Sequence, residues 1–246
     1  MTGARLDGRT ALITGASAGI GRATALALAE AGAALIVTGR REAQLRIVAE
    51  ECEAQGAKVW AVTGDLNDPA FVRRLADAGT GVDILVNNAG VLTYAPILET
   101  PLPDSEAMFQ TNVLSALRLI QAIGPAMVKR KRGHIVMMSS TAAREVYRLG
   151  AVYCASKHAM SALTRGLRLE LQANGIKVTE VAPGIVDTGI RSASDHPDVM
   201  AAREAAGTVL SLTAKDVAAA VVYALTAPED CCPDLIELRP RGAATG

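Results

Sequence analysis

From one end of the chain to the other, a short β-branched run is followed by a turn and then by a helical stretch. "TALIT" (10–14) leads through a glycine-rich turn into the Ala-rich "GRATALALAEAG". "ALIVTG" (34–39) leads into a charged helix from Arg41 to about Gln55. "KVWAVTG" (58–64) and "DILVNNAG" (83–90) repeat the scheme. A long helix from about Asp104 to Lys131 precedes "HIVMMSS", and another from about Ala151 to Asn174 precedes "KVTEVAPG". A last helix, Ala214 to Thr226, precedes "DLIELRP". The apolar runs do not alternate with polar residues, which suits strands of a parallel sheet buried on both faces. Repeated βα units with right-handed crossovers place helices on both sides of that sheet. The expectation is an α/β chain with one doubly wound domain over residues 1–246 and a parallel seven-stranded sheet.

Composition narrows the class further. A chain of 246 residues suits one large α/β domain, and half of its residues are hydrophobic. No run approaches the roughly 20 apolar residues of a membrane span. The N-terminal "MTGARLDGRT" lacks the apolar segment of a secretory signal. Lys plus Arg is 25 and Asp plus Glu is 25, so no electrostatic case exists for nucleic acid or a membrane surface. Cys52, Cys154, Cys231 and Cys232 show no zinc spacing, and His134, His158 and His196 are scattered. The expectation is a cytoplasmic protein without a metal.

In doubly wound sheets, ligands bind outside the carboxyl ends of the strands. The first such end carries "TGASAGIG", Thr14 to Gly21. Gly15 permits the tight turn, and Gly19 and Gly21 permit close approach of backbone to ligand. The following helix offers free N–H groups and a positive dipole end to a pyrophosphate. The second end, "VTGRRE", has Gly39 where an acid for a ribose hydroxyl would stand, followed by Arg40 and Arg41. A guanidinium grips a phosphate with two hydrogen bonds, so these residues favour NADP(H) over NAD(H). "YCASK" puts Tyr153 and Lys157 four apart, hence on one helix face. A phenol near its ordinary pKa of about 10 holds its proton too tightly to cycle it near neutrality, and a neighbouring ammonium would lower that pKa. Cys154 and His158, on the same helix, face elsewhere by periodicity and read as structural.

With "TGASAGIG", "NNAG" and "YCASK" in this order, the chain resembles the short-chain dehydrogenase/reductase family, over nearly its whole length. The resemblance implies a Rossmann-type fold and an NADP(H)-dependent oxidoreductase that interconverts a carbonyl and an alcohol. It implies a cofactor site formed by Gly15, Ser17, Gly19, Ile20, Gly21, Arg40, Arg41, Asp65, Leu66, Asn88, Ala89, Gly90, Tyr153, Lys157, Pro183, Gly184, Ile185 and Thr188. Asn87 through Gly90 would close its floor, and Asp65 and Leu66 would line the adenine pocket. It implies a catalytic set of Asn112, Ser140, Tyr153 and Lys157, with Asn112 supporting a proton-relay water and Ser139 the lesser neighbour of Ser140. The substrate wall is expected to include Tyr94, Ser140, Thr141, Ala142, Val146, Tyr147, Leu149, Tyr153, Ile185 and Ile190, with a substrate loop at about 189–210. Arg144 and Arg148 are near in sequence, without a carboxylate or phosphate site that follows from them. Other readings on the same fold are an imine or activated-alkene reductase and a non-catalytic NADP-binding sensor or scaffold, the latter expected to have lost Tyr153 or Lys157. Family members are usually homotetramers or homodimers, and the two long helices flanking the fifth strand are rich in Ala, Leu, Val and Met. A small-molecule substrate and a second copy of the chain are the expected partners.

Overall fold

The computed structural model describes residues 5–189, 194–207 and 209–241. Thr10–Thr14 is β1, Gly19–Glu30 is α1, Ala34–Gly39 is β2, Glu42–Glu53 is α2, and Val59–Thr63 is β3. Pro69–Ala78 is α3, Ile84–Asn87 is β4, Leu102–Phe109 is α4, and Ser115–Arg130 is α5. Gly133–Met138 is β5, Ala151–Leu171 is α6, and Ile176–Pro183 is β6. Pro197–Ala206 is α7, Ala214–Thr226 is α8, and Leu235–Leu238 is β7.

The strands form a seven-stranded sheet in the order β3-β2-β1-β4-β5-β6-β7, with every pair parallel. Two apolar clusters cover its two faces. One packs Leu28 of α1, Leu45 and Val48 of α2 and Val217 and Val221 of α8 against β1, β2 and β4. The other packs Phe71 and Leu75 of α3, Leu119 and Ile123 of α5 and Met160 and Leu167 of α6. Strand order reverses between β1 and β4, so the chain leaves their carboxyl ends in opposite directions, the place where a crevice forms in such sheets. The doubly wound architecture is the expected one.

Four details differ from the expectation. Helix α3 stands between β3 and β4, where the sequence reading gives a helix no bounds; Asp68 caps it, accepting from Ala70 N at 2.8 Å, and Pro69 occupies its first position. The helix expected over 104–131 is interrupted by a π-turn at Gln110–Leu114, centred on Asn112. Part of the expected loop at 189–210 is α7, whose start is capped by His196, which accepts from Asp198 N. The edge strand β3 is not buried on both faces: Trp60 is half exposed, because β3 pairs with β2 alone. Ile190 lies outside the described residues.

His134 of β5 is buried, its Nε2 2.8 Å from Thr179 Oγ1, and burial pushes its pKa down to about 3. The unfolded imidazole takes up a proton below about pH 6.5, whereas the folded one stays neutral to about pH 3, so stability is lost as pH falls through that window. The expected slope from this group is about 1.4 kcal/mol per pH unit. His134→Gln should flatten the fall in unfolding free energy between pH 6 and 4, measured by urea denaturation; an unchanged slope would contradict this.

Candidate active site

The ends of β1 and β4 are tied together by one side chain. Thr14 is buried at the last position of β1. Its Oγ1 accepts from both Asn88 N and Ala89 N at 2.9 Å, and its hydroxyl donates to Val86 O at 3.4 Å. Asn88 replies by donating Nδ2 to Thr14 O at 2.8 Å. This clamp presses "NNAG" onto the glycine turn so closely that side chains are excluded. A Cβ on Gly15 would lie 2.9 Å from Ala89 Cα, and one on Gly21 would strike Gly15 O and sit 2.5 Å from Asn88 Nδ2. Gly15 and Gly19 also hold φ of +64° and +54°, a region that favours glycine. A Cβ on Gly19 would meet Thr188 at 3.1 Å, so the turn also faces the "PGIVDT" segment after β6.

Above these strand ends lies a cavity of about 1320 Å³. Its walls include Gly15, Ser17, Gly19, Ile20, Arg40, Arg41, Asp65, Leu66, Asn88, Ala89 and Gly90 on one side. Pro183, Gly184, Ile185 and Thr188 line it from β6, and Ser139, Ser140, Tyr153 and Lys157 from β5 and α6. Gly21 and Asn87 are beside the cavity rather than on it; Gly21 supplies close packing, and buried Asn87 directs its amide at Met137 Sδ. Beyond β2, Arg41 donates Nη2 to Ser17 Oγ at 3.2 Å, and both Arg40 and Arg41 are exposed to the cavity. Among the described residues, neither is paired with Glu42. The cleft thus fits a dinucleotide: a side-chain-free cradle at the start of α1 for a pyrophosphate, and at the end of β2 a hydroxyl with two unneutralised guanidiniums for a further phosphate.

At the other end of the cavity, α6 turns Tyr153 and Lys157 towards the end of β5. Ser140 Oγ accepts from Ala142 N at 3.1 Å, which fixes the hydroxyl at the mouth of the turn after β5. Lys157 is buried and donates Nζ to Met138 O at 3.0 Å, with Nζ 5.8 Å from the centre of the Tyr153 ring. Burial pushes the lysine pKa down to about 8. Burial also pushes the Tyr153 phenol above its ordinary value, against the opposing effect of the Ser140 hydroxyl. The depressed phenol pKa expected from the sequence is therefore absent from the protein alone. The ammonium is engaged by a backbone carbonyl instead of the phenol oxygen, and desolvation wins.

Asn112 is fully buried and brought beside this pair by the π-turn. Its Oδ1 accepts from Val91 N at 2.8 Å, and its Nδ2 donates to Val91 O and Ser156 Oγ, both at 3.0 Å. Both amide protons are used in joining the segment after β4 to α6. A relay through Asn112 has only Oδ1 and the backbone carbonyl left as acceptors.

The residues expected at a substrate wall fall in two groups. Tyr94, Thr141, Tyr147 and Leu149 line the cavity, and the Tyr94 ring centre is 6.5 Å from that of Tyr153. Ala142 and Val146 do not line it. Ala142 is fully buried in the short turn packed against α6, and Val146 is 71% exposed because the chain there turns Glu145 and Tyr147 inward. Residues not singled out from the sequence complete the wall: Glu145, Arg203 of α7 and Arg239 after β7. Glu145 joins Tyr147 OH at 3.0 Å and pairs with Arg239. Cys154 is buried and accepts from Tyr147 N at 3.4 Å. His158 directs Nδ1 at Cys154 O, and His196 pairs with Glu99. Among the described residues, no three His, Cys, Asp or Glu side chains cluster to hold a metal, and no helix is long and apolar enough to cross a membrane.

Comparison with known proteins agrees with this geometry. The family model for short chain dehydrogenases matches residues 9–198. An uncharacterized oxidoreductase from Staphylococcus epidermidis is 33% identical over 96% of this chain and 99% of its own length. The NADP-dependent 3-hydroxy acid dehydrogenase of Schizosaccharomyces pombe is 34% identical, covering 92% of this chain and 90% of its own. The closed form of a serine dehydrogenase complexed with NADP+ superposes with a TM-score of 0.87 at 30% identity, covering 96% of each chain. The chain belongs to the short-chain dehydrogenase family.

Proposed function

We propose that this oxidoreductase interconverts a carbonyl compound and an alcohol with NADP(H), and that Tyr153 is its proton donor and acceptor. The observation that carries the reading is convergence: Ser140, Tyr153 and Lys157 line the same cavity that the glycine turn and Arg41 close at its far end. The nicotinamide, when bound, supplies or takes the hydride. Ser140 is placed to donate a hydrogen bond to the substrate oxygen, and Tyr153 to protonate it. A phenol held above its ordinary pKa stays protonated at neutral pH, which suits the reductive direction. In the reverse direction the phenolate is the base, so oxidation accelerates as pH rises. Lys157, one turn away with its ammonium 5.8 Å from the ring centre, is placed to hold the ribose beside the phenol.

Tyr153→Phe is expected to lower turnover at least about 10²-fold while leaving NADPH affinity near wild type. Ser140→Ala should lower turnover alone, and Lys157→Ala both turnover and affinity. Retention of wild-type turnover by Tyr153→Phe would overturn the mechanism.

Arg40, Arg41 and Ser17 support the choice of cofactor. The Schizosaccharomyces pombe relative is NADP-dependent by name, and the serine dehydrogenase neighbour is complexed with NADP+. Arg40→Asp and Arg41→Asp should each weaken NADPH binding and shift kcat/KM towards NADH. A wild type that prefers NADH would contradict the assignment.

One observation favours hydroxy or oxo acids among possible substrates. Arg144 and Arg239 are neutralised by Glu180, Glu145 and Glu237. Arg148 and Arg203 line the cavity with no carboxylate partner among the described residues. Arg203 donates Nη1 to Ser194 O at 3.0 Å, and its shielded Nη2 has no acceptor. A substrate carboxylate in the cavity would give these two guanidiniums a counter-charge, which accords with the name of the 3-hydroxy acid dehydrogenase relative.

The assembly is proposed to be a homodimer or homotetramer. Leu102, Phe109 and Leu114 along α4 to α5, and Leu169 of α6, expose apolar side chains that a second copy would cover. Light scattering at micromolar concentration should give a multiple of the 25.5 kDa chain mass; a monomer mass would contradict it.

A further inference from the structure

Strand β6 carries one carboxylate where a parallel strand in the middle of a sheet normally carries none. Glu180 is 2% exposed, between β5 and β7, with Met137 and Leu235 as its register partners. Burying a charge costs several kcal/mol unless it is paired and hydrogen-bonded. Glu180 has both kinds of partner. Oε1 forms an ion pair with Arg144 Nη2 at 3.0 Å, and Oε2 accepts from Ser161 Oγ at 3.0 Å. These partners are not random surface groups. Arg144 closes the short turn that begins at Ser140, and Ser161 is one helical turn beyond Lys157, on the same face of α6. The carboxylate therefore fastens together the two segments that present Ser140 and Lys157.

We propose that Glu180 is a positioning residue for the active site: fixed by Arg144 and by Ser161, one helical turn from Lys157, its buried carboxylate supports the Lys157 ammonium. Among the described residues, Lys157 has a single backbone carbonyl as its oxygen partner, and desolvation draws its pKa down. Glu180 is the charged group that opposes that fall. The remaining charged groups around Glu180 are accounted for. Arg144 is shared with Glu237 of β7 at 3.8 Å, Glu237 is held by Arg239, and Asp234 before β7 pairs with Arg168. Of these carboxylates Glu180 is the buried one. At pH 7 the ammonium is then mostly retained; without Glu180 its deprotonation would move into the neutral range, and the neighbouring phenol would lose its cationic neighbour.

The inference rests on the role proposed for the Tyr153–Lys157 pair, and its test is read without cofactor or substrate, so the two can fail separately. The Nζ titration of Lys157 would be followed by nitrogen NMR in ¹⁵N-lysine-labelled protein, with Lys157→Met for assignment. Glu180→Gln should lower the Lys157 midpoint by about one pH unit. Arg144→Gln, which loosens the same clamp but leaves the carboxylate, should leave the midpoint in place or raise it. If Glu180→Gln alone does not fold, the double variant Glu180→Gln/Arg144→Gln is compared with Arg144→Gln, and its midpoint should lie below that of the single variant. In the active enzyme, Glu180→Gln should displace the pH profile of reduction in the same direction. A Lys157 midpoint that Glu180→Gln leaves unchanged in either background, or one lowered equally by Arg144→Gln, would show a merely structural clamp and overturn the proposal.

Discussion

The hydroxyl of Thr14 is the point on which this site is assembled. It sits where strand order reverses, and it satisfies two adjacent backbone N–H groups of the neighbouring strand end. A buried unpaired N–H costs about 1–3 kcal/mol, so the clamp favours one arrangement of the β1 and β4 ends over all others. That arrangement brings backbone to backbone so tightly that Gly15 and Gly21 cannot carry a Cβ. The same closeness leaves the N-terminus of α1 open to a ligand phosphate. Cradle, floor and first helix are thus consequences of one contact between two strand ends.

The Tyr153–Lys157 end of the cavity obeys the same logic with different chemistry. Helix α6 presents Tyr153 and Lys157 together by its period alone, but the period does not set their ionisation. Burial raises the phenol and lowers the ammonium, and both shifts favour the neutral forms. The carboxylate of Glu180 and the hydroxyl of Ser140 work in the opposite sense. The protein holds the pair in an apolar setting, where electrostatic effects are large, and balances it with two groups anchored elsewhere in the sheet.

Much of this was legible in the sequence because it is local. The βα alternation, the glycine turn, the arginines after β2 and the i, i+4 spacing of Tyr153 and Lys157 each lie within a few residues. The parts that escaped depend on tertiary partners. A π-turn at Asn112 differs from an α-turn by one residue of register, which is fixed by Val91 and Ser156 from other segments. Helix α3 had its start signal in Asp68-Pro69, but only Phe71, Val72 and Leu75 mark its buried face. The segment from Arg144 to Leu149 has no periodicity, so the inward turn of Glu145 and the outward turn of Val146 come from Arg239 and Cys154, far apart in sequence. A glutamate inside "KVTEVAP" was a visible anomaly in a buried parallel strand, while its partner Arg144 was not identifiable from spacing.

The account makes the Thr14 clamp the support of the dinucleotide cradle, and the isosteric Thr14→Val variant tests it most directly. Valine keeps the shape but removes the acceptor of Asn88 N and Ala89 N. With folding confirmed by circular dichroism, titration of NADPH into this variant should give a Kd at least about tenfold above wild type, corresponding to the loss of about 1.4 kcal/mol of preorganisation. A Kd within twofold of wild type would contradict the claim that this hydroxyl holds the cradle in its binding form.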